Sequence, residues 1–275
     1  MNIQLLSDLH LEAHPHFVPT PAPGADVLVL AGDIGSYQAG TLLGAFGDDA
    51  DFGLKRFSNW PVPVLFVPGN HEYDGLEFDL AHVRLREVCA RLGIHWLERG
   101  SLTLGGVRFL GTTLWSDFEA FITDDDTIGE ALKKRDKAFR AANFYLRKNH
   151  SLRDGQPILA EGVREHALQC QQWLRAALAE PFDGPTVVVT HFAPSLQSAD
   201  PRYGLTPGTA GFCNALDELL PMARLWLHGH LHAPSDYLHL GAGGASGCRV
   251  VANPLGYARK QEQSRFQAEA CIALV

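Results

Sequence analysis

The chain has 275 residues, of which 46% are hydrophobic and 20% charged, the balance of a globular protein and not of a disordered, collagenous or coiled-coil one. Twenty-three basic residues stand against 31 acidic ones, and the resulting net charge of −8 repels polyanions, which argues against extended nucleic-acid binding. No apolar run reaches the roughly 18 residues of a membrane helix, and no basic, hydrophobic leader precedes the first folded-looking segment, so the expectation is a cytoplasmic protein with no membrane partner.

In chain order, short continuous apolar runs predict strands buried on both faces at Ile3 to Leu6, Val27 to Ala31, Val62 to Val67, Val107 to Leu110, Thr186 to Val189 and Leu225 to Leu227. Helix-like segments lie between them at Phe78 to Leu92, Gly129 to Lys148 and Gly162 to Leu178, and the alternation predicts an α/β architecture. Further strands at Tyr237 to Leu240, Arg249 to Ala252 and Ala268 to Val275 have no long helix between them and suggest a second, more antiparallel sheet. The proline-rich stretch Pro15 to Gly24 reads as a loop and the glycine-rich stretch Gly241 to Gly247 as a turn, so residues 1–275 are expected to form one domain. Within it, Trp115 to Gly155 is a candidate helical cap, and its runs Asp124 to Asp126 and Lys133 to Arg135 read as a solvated helix with an acidic first turn. The five cysteines are widely spaced and never form a Cys-x-x-Cys pair, which fits reduced, buried thiols.

The chemistry gathers at the carboxyl ends of the strand-like runs. Ile3 to Leu6 leads into Asp8 and His10, two positions apart, which in extended backbone point to one side and can bind one ion. Val27 to Leu30 leads through Gly32 to Asp33, and Val64 to Val67 leads into Gly69-Asn70-His71-Glu72. Val187 to Val189 ends at His191, and Leu225 to Leu227 ends in His228-Gly229-His230-Leu231-His232. Ligands of open α/β sheets bind beyond the carboxyl ends of the strands, so these clusters are expected to converge. The set Asp8, His10, Asp33, Asn70, His191, His230 and His232 offers oxygen and nitrogen donors without sulfur, which suits Mn, Fe, Co, Ni or Zn. That is too many donors for one ion and suits two, about 3.5–4 Å apart and bridged by a carboxylate. Left without metal, such a buried cluster would strand many polar atoms.

The ordered blocks Asp8-Leu9-His10, Gly32-Asp33, Gly69-Asn70-His71-Glu72, His191 and Gly229-His230-Leu231-His232 resemble the five blocks of the calcineurin-like metallophosphoesterases. The resemblance implies a two-sheet αββα sandwich and a metal-dependent phosphoesterase with two divalent cations, manganese or iron first among the candidates. It implies that Asp8, His10 and His232 hold one cation, that Asn70, His191 and His230 hold the other, and that Asp33 bridges them. It further implies attack on phosphorus by a metal-bridging hydroxide, with His71 beside the leaving group as general acid or charge stabiliser.

Asp33 is followed by Ile34-Gly35-Ser36, not by the Arg-Gly of the protein serine/threonine phosphatases, so the chain looks more like the small bacterial phosphoesterases. The implied substrates are small phosphodiesters, then small phosphomonoesters; a nuclease and a catalytically idle metal-binding scaffold for protein interaction are the alternatives. Phe192 follows His191 at a position outside the family's metal ligands. Arg202 and Tyr203 are candidates for touching substrate phosphate, Asn253 to Tyr257 for lining the cleft, and His228 for supporting a ligand. His14 and His16 read as loop residues.

Overall fold

In a computed structural model, which describes residues 1–44, 50–148, 150–241 and 247–274, each apolar run becomes a strand. The first three are β1 (Asn2–Leu6), β2 (Val27–Ala31) and β3 (Val64–Val67). There follow α1 (Phe78–Leu92), β4 (His95–Trp96), β5 (Gly100–Leu104), β6 (Val107–Thr112), α2 (Ile128–Leu146), β7 (Leu152–Arg153), β8 (Gln156–Pro157) and α3 (Ala160–Ala179). The chain closes with β9 (Thr186–Thr190), β10 (Leu225–His228), β11 (Ser235–His239), β12 (Cys248–Ala252) and β13 (Cys271–Ala273). Most of the glycine-rich turn, residues 242–246, lies outside the described residues.

The strands form two main sheets, ordered β13-β1-β2-β3-β4 and β11-β12-β10-β9-β6-β5. Side chains alternate along a strand, so a run that is apolar throughout feeds two cores at once. Ile3, Leu5, Val27, Val29, Leu65 and Val67 of one sheet meet Phe109, Val187, Val189, Leu225 and Leu227 of the other in a core between the sheets. Their alternate neighbours, among them Leu28, Leu30, Phe66, Val188 and Trp226, face outward into a second core that includes Leu85 and Val88 of α1 and Ala167 and Leu174 of α3. With α1 against β4 and α3 against β6, the layers run helix, sheet, sheet, helix. This is the αββα sandwich that the resemblance implies.

The closing segment differs from the sequence reading. β12 returns between β10 and β11 and pairs parallel to β10, so the second sheet is parallel through β12, β10, β9 and β6 and antiparallel only at its edges, β11 and β5. β13 pairs with β1 in the first sheet, where it buries Ile272 and Gln4 donates to the Ala268 carbonyl at 2.9 Å. The length of a connection between strands did not reveal that the chain had crossed from one sheet to the other.

Thr127 begins α2 with a capping box, its side chain accepting from the Glu130 amide while Glu130 accepts from the Thr127 amide. Asp124 to Asp126 therefore precede the helix instead of forming its first turn, and Asp126 pairs with Lys134 at 2.6 Å. Among the described residues no helix is long and apolar enough to cross a membrane.

Phe109 lies fully buried between the sheets, whereas Leu238 on the edge strand β11 is 59% exposed. Phe109→Ala is expected to lower stability by about 3–5 kcal/mol in urea denaturation, and Leu238→Ala by less than about 0.5 kcal/mol.

Candidate metal centre

Parallel pairing brings the carboxyl ends of β1, β2 and β3, and those of β9 and β10, to one edge of the sandwich. Beyond the strands the loops lace together: the Asp8 amide donates to the Gly32 carbonyl at 2.9 Å, His10 to Asp33 at 3.0 Å and Gly229 to His191 at 3.0 Å. His191 Nδ1 donates to the Ala31 carbonyl at 2.9 Å and so joins the second sheet to the first.

Two donor groups result, one of Asp8, His10, Asp33 and His232 and the other of Asp33, His191 and His230, each with ligand atoms within 4.8 Å of one another. Asn70 adjoins the second group, its Oδ1 lying 3.3 Å from His191 Nε2. The structure thus brings together all seven residues that the sequence singled out, although not by the geometry expected. Asp8 and His10 have φ of 53° and 46°, His230 and His232 of 71° and 50°, and Asp33 of 54°. Both members of each i, i+2 pair are left-handed, so the regular strand expected there does not continue through them. Left-handed backbone costs a non-glycine residue about 1–2 kcal/mol, and its repetition at five donor positions marks stored strain.

Buried carboxylates and a carbonyl aim the imidazoles. His10 Nδ1 donates to Glu12 at 3.0 Å and His232 Nδ1 to Glu262 at 2.7 Å, as His191 Nδ1 does to Ala31. These bonds turn the Nε2 atoms inward, and those of His10 and His232 face each other at 3.0 Å. Asp33 Oδ2 and His230 Nε2 are buried without a hydrogen-bond partner. Facing nitrogens and stranded acceptors are what a site shaped for cations presents, and the donor set therefore fits divalent metal. Glu72 holds the loops beneath, accepting from the amides of Asp33, Ile34, Gly35 and Gly69 at 2.6–3.3 Å. Packing here excludes side chains: at Gly32, where φ is +87°, a Cβ would fall on the His191 ring, and at Gly69 it would fall on the Asp33 carboxylate.

Charge within the cluster is mutually compensated. Burial would raise the Asp33 carboxyl, but His191 and His71 hold it well below the usual range. Burial would lower the His191 and His232 imidazoles, yet Asp33 raises the first to about 9, and Asp8 with Glu262 raises the second to about 9. His10 and His230 are pushed well below the ordinary histidine value, by burial and by the neighbouring imidazoles of His71 and His191 respectively.

Aromatic rings close the sides. Tyr257 stacks on His10 at 4.2 Å between centroids, and Phe192 stacks on His230 at 3.9 Å. The other candidates from the sequence are placed differently. Arg202 pairs with Asp200 at 2.6 Å, and Tyr203 beside it is exposed. His228 turns away from the donors, bonding Ser198 Oγ and the Gly229 carbonyl, each at 3.0 Å. Asn253 anchors the Leu5 and Gln267 carbonyls, while Tyr257 of the same segment reaches the centre. Glu12 and Asp74, each within three residues of a site histidine, were open to sequence reasoning and were missed. Glu262 has no spacing signal because its partner, His232, lies 30 residues away.

The description "calcineurin-like phosphoesterase" belongs to a family model that matches residues 1–234. The chain is a member of that family. Over 249 residues it is 24% identical to an uncharacterized protein of Acanthamoeba polyphaga mimivirus, a match covering 84% of this chain and 82% of the viral one. The fold is similar to that of a phosphopantetheinyl hydrolase from Mycobacterium tuberculosis, with a TM-score of 0.66, 18% identity, and coverage of 98% of this chain and 94% of the other. At that identity the likeness is one of fold.

In this calcineurin-like phosphoesterase, His71 stands at the rim of the donor groups. Its amide donates to Asp33 Oδ1 at 2.9 Å, its Nδ1 to Asp74 at 2.6 Å, and its side chain is 14% exposed. Burial would lower its imidazole, but Asp74 and Asp33 override this and raise it from 6.5 to about 10. Because the shift is upward, the pair's contribution to stability is complete below pH 6.5 and is lost as pH rises through about 10. In metal-free protein, proton NMR is expected to show His71 titrating near pH 10, and Asp74→Asn is expected to bring that titration down by more than about one pH unit. An unchanged titration in the variant contradicts the role of Asp74 as the group that keeps the proton.

Proposed function

We propose that this phosphoesterase hydrolyses small phosphate esters, diesters ahead of monoesters, at a pair of divalent cations, manganese or iron first among the candidates. One cation would be held by Asp8, His10 and His232 and the other by Asn70, His191 and His230, with Asp33 shared between them. The observation that carries this reading is the membership of Asp33 in both donor groups, with its buried Oδ2 lacking any hydrogen-bond partner. Bound there, the cations would act as Lewis acids toward the phosphoryl group and supply a water of lowered pKa.

The chain's own residues supply orientation and a proton. Glu12, Glu262 and the Ala31 carbonyl fix the tautomers of His10, His232 and His191, so that each presents Nε2. His71, held protonated by Asp74, keeps Nε2 4.0 Å from Asp33 Oδ2, and its side chain is partly exposed. It is positioned to donate a proton to the leaving oxygen, a role worth about 10²- to 10⁴-fold. Where the protein serine/threonine phosphatases place an arginine, the amides of Ile34 and Gly35 are spent on Glu72 and that of Ser36 on Glu12. The segment after Asp33 thus braces the site from within and offers the substrate no cation, which supports small esters as substrates.

Manganese-reconstituted protein is expected to hydrolyse bis(p-nitrophenyl) phosphate faster than p-nitrophenyl phosphate. His71→Ala should lower kcat by about 10²- to 10⁴-fold with bound metal unchanged. Negligible turnover of both esters by metal-loaded wild type and variant alike would favour an idle scaffold.

A further inference from the structure

The segment after β12 packs against the metal centre. The Leu255 amide donates to the Ser7 carbonyl at 3.1 Å and the Gly256 amide to the Asp8 carbonyl at 3.0 Å, so the segment lies on the loop that carries Asp8. The chain then reverses, with left-handed residues near both ends of the turn: Gly256 at φ 67° and Gln261 at φ 58°. The buried Glu262 carboxylate closes the turn by accepting from the Tyr257 amide at 2.9 Å and from His232 Nδ1 at 2.7 Å. The loop 257–262 is therefore clamped to a donor histidine of the site.

That loop carries adjacent exposed cations. The Arg259 guanidinium carbon lies 5.1 Å and Lys260 Nζ 5.2 Å from the centroid of the Tyr257 ring. The same ring stacks on His10 at 4.2 Å and meets His232 edge-on at 5.2 Å. Two positive charges thus stand one aromatic ring away from the donor cluster, in a chain whose net charge is −8. Among the described residues no carboxylate pairs with Arg259, and the contact of Lys260 with Glu262 is long, at 4.0 Å, while the other Glu262 oxygen is committed to His232. Exposed cations of this kind add little to folding stability, but their charge stays available to an anion that arrives from solvent.

We propose that Tyr257, Arg259 and Lys260 form a second subsite, which takes a carboxylate or phosphate on the part of the substrate away from the scissile phosphorus. This rests on the phosphoesterase reading and narrows its substrate class to esters that carry a further negative charge. Tyr257 acts as the spacer, since its ring fixes the distance between the loop cations and the donor histidines. Arg259 and Lys260 act on binding, and the reacting groups are left to His71 and the donor cluster.

Phosphonates that are not hydrolysed separate binding from turnover. By calorimetry on manganese-loaded protein, 2-carboxyethylphosphonate is expected to bind wild type at least about fivefold more tightly than propylphosphonate, which lacks the carboxylate. In Arg259→Ala/Lys260→Ala the preference should fall below about twofold, through lost affinity for the carboxylate compound. The charge-preserving Arg259→Lys/Lys260→Arg variant should keep most of the preference and shows whether the loop tolerates substitution. Equal affinities in wild type, undetectable binding of both compounds, or a preference that survives the alanine pair overturns the subsite. Turnover of bis(p-nitrophenyl) phosphate and p-nitrophenyl phosphate by the same wild-type preparation tests the underlying reading separately: turnover of either ester without the preference sinks the subsite alone, and the preference with negligible turnover of both sinks the phosphoesterase reading and, with it, the loop's role as a substrate subsite.

Discussion

The Asp33 carboxylate is withdrawn from water at the edge of the sandwich, one oxygen bonded to the His71 amide and the other left without a donor. A buried carboxylate with a vacant lone pair is costly unless positive charge is brought to it, and two raised imidazoles supply that charge. His191 lies 3.2 Å and His71 4.0 Å from its stranded oxygen, while Glu72 grips the Asp33 amide from below. The bare glycine at position 69 and the left-handed backbone at Asp8, His10, His230 and His232 follow from the need to pack so many polar groups around one oxygen. Local strain is tolerated because two cores, one between the sheets and one beneath the helices, hold the strand ends in place.

Much of this was legible in the sequence. Apolar-rich runs of three to six residues gave β1, β2, β3, β6, β9 and β10, because strands buried on both faces keep few polar positions, Gln4 and Arg108 among them, and the limits shift by no more than two residues. α1 was legible to the residue, since Gly93 stops it in the left-handed conformation at φ 70°. The seven candidate donors were legible because each lies just past the carboxyl end of a strand, and parallel strands deliver their ends to one edge. What stayed hidden depends on pairing between distant segments. Nothing local at Cys271–Ala273 tells that β13 crosses to β1, and nothing near Glu262 tells that its carboxylate serves His232. The sequence also misled where it assumed regular backbone: the alternation expected through Asp8 and His10 is replaced by paired left-handed residues.

The supporting residues divide the labour by chemistry. Carboxylates hold His10, His232 and His71 through Nδ1, and a main-chain carbonyl does the same for His191. His230 is held otherwise: its amide donates to Asp8 at 2.9 Å and its ring is packed by Phe192. Phe192 therefore has a use at a position that ligates nothing, which is why a phenylalanine there is compatible with an intact donor set. The same logic extends outward through Tyr257, which covers His10 with one ring and carries the only link between the donors and the Arg259–Lys260 turn that stacking provides among the described residues.

Anomalous diffraction from crystals soaked in manganese measures the central claim directly, because it locates cations without reference to activity. The account predicts two peaks about 3.5–4 Å apart on either side of the Asp33 carboxylate, one beside His10 and His232 and the other beside His191 and His230. A fully soaked crystal with no peak at Asp33, or with a single peak contacting neither pair of imidazoles, would contradict it.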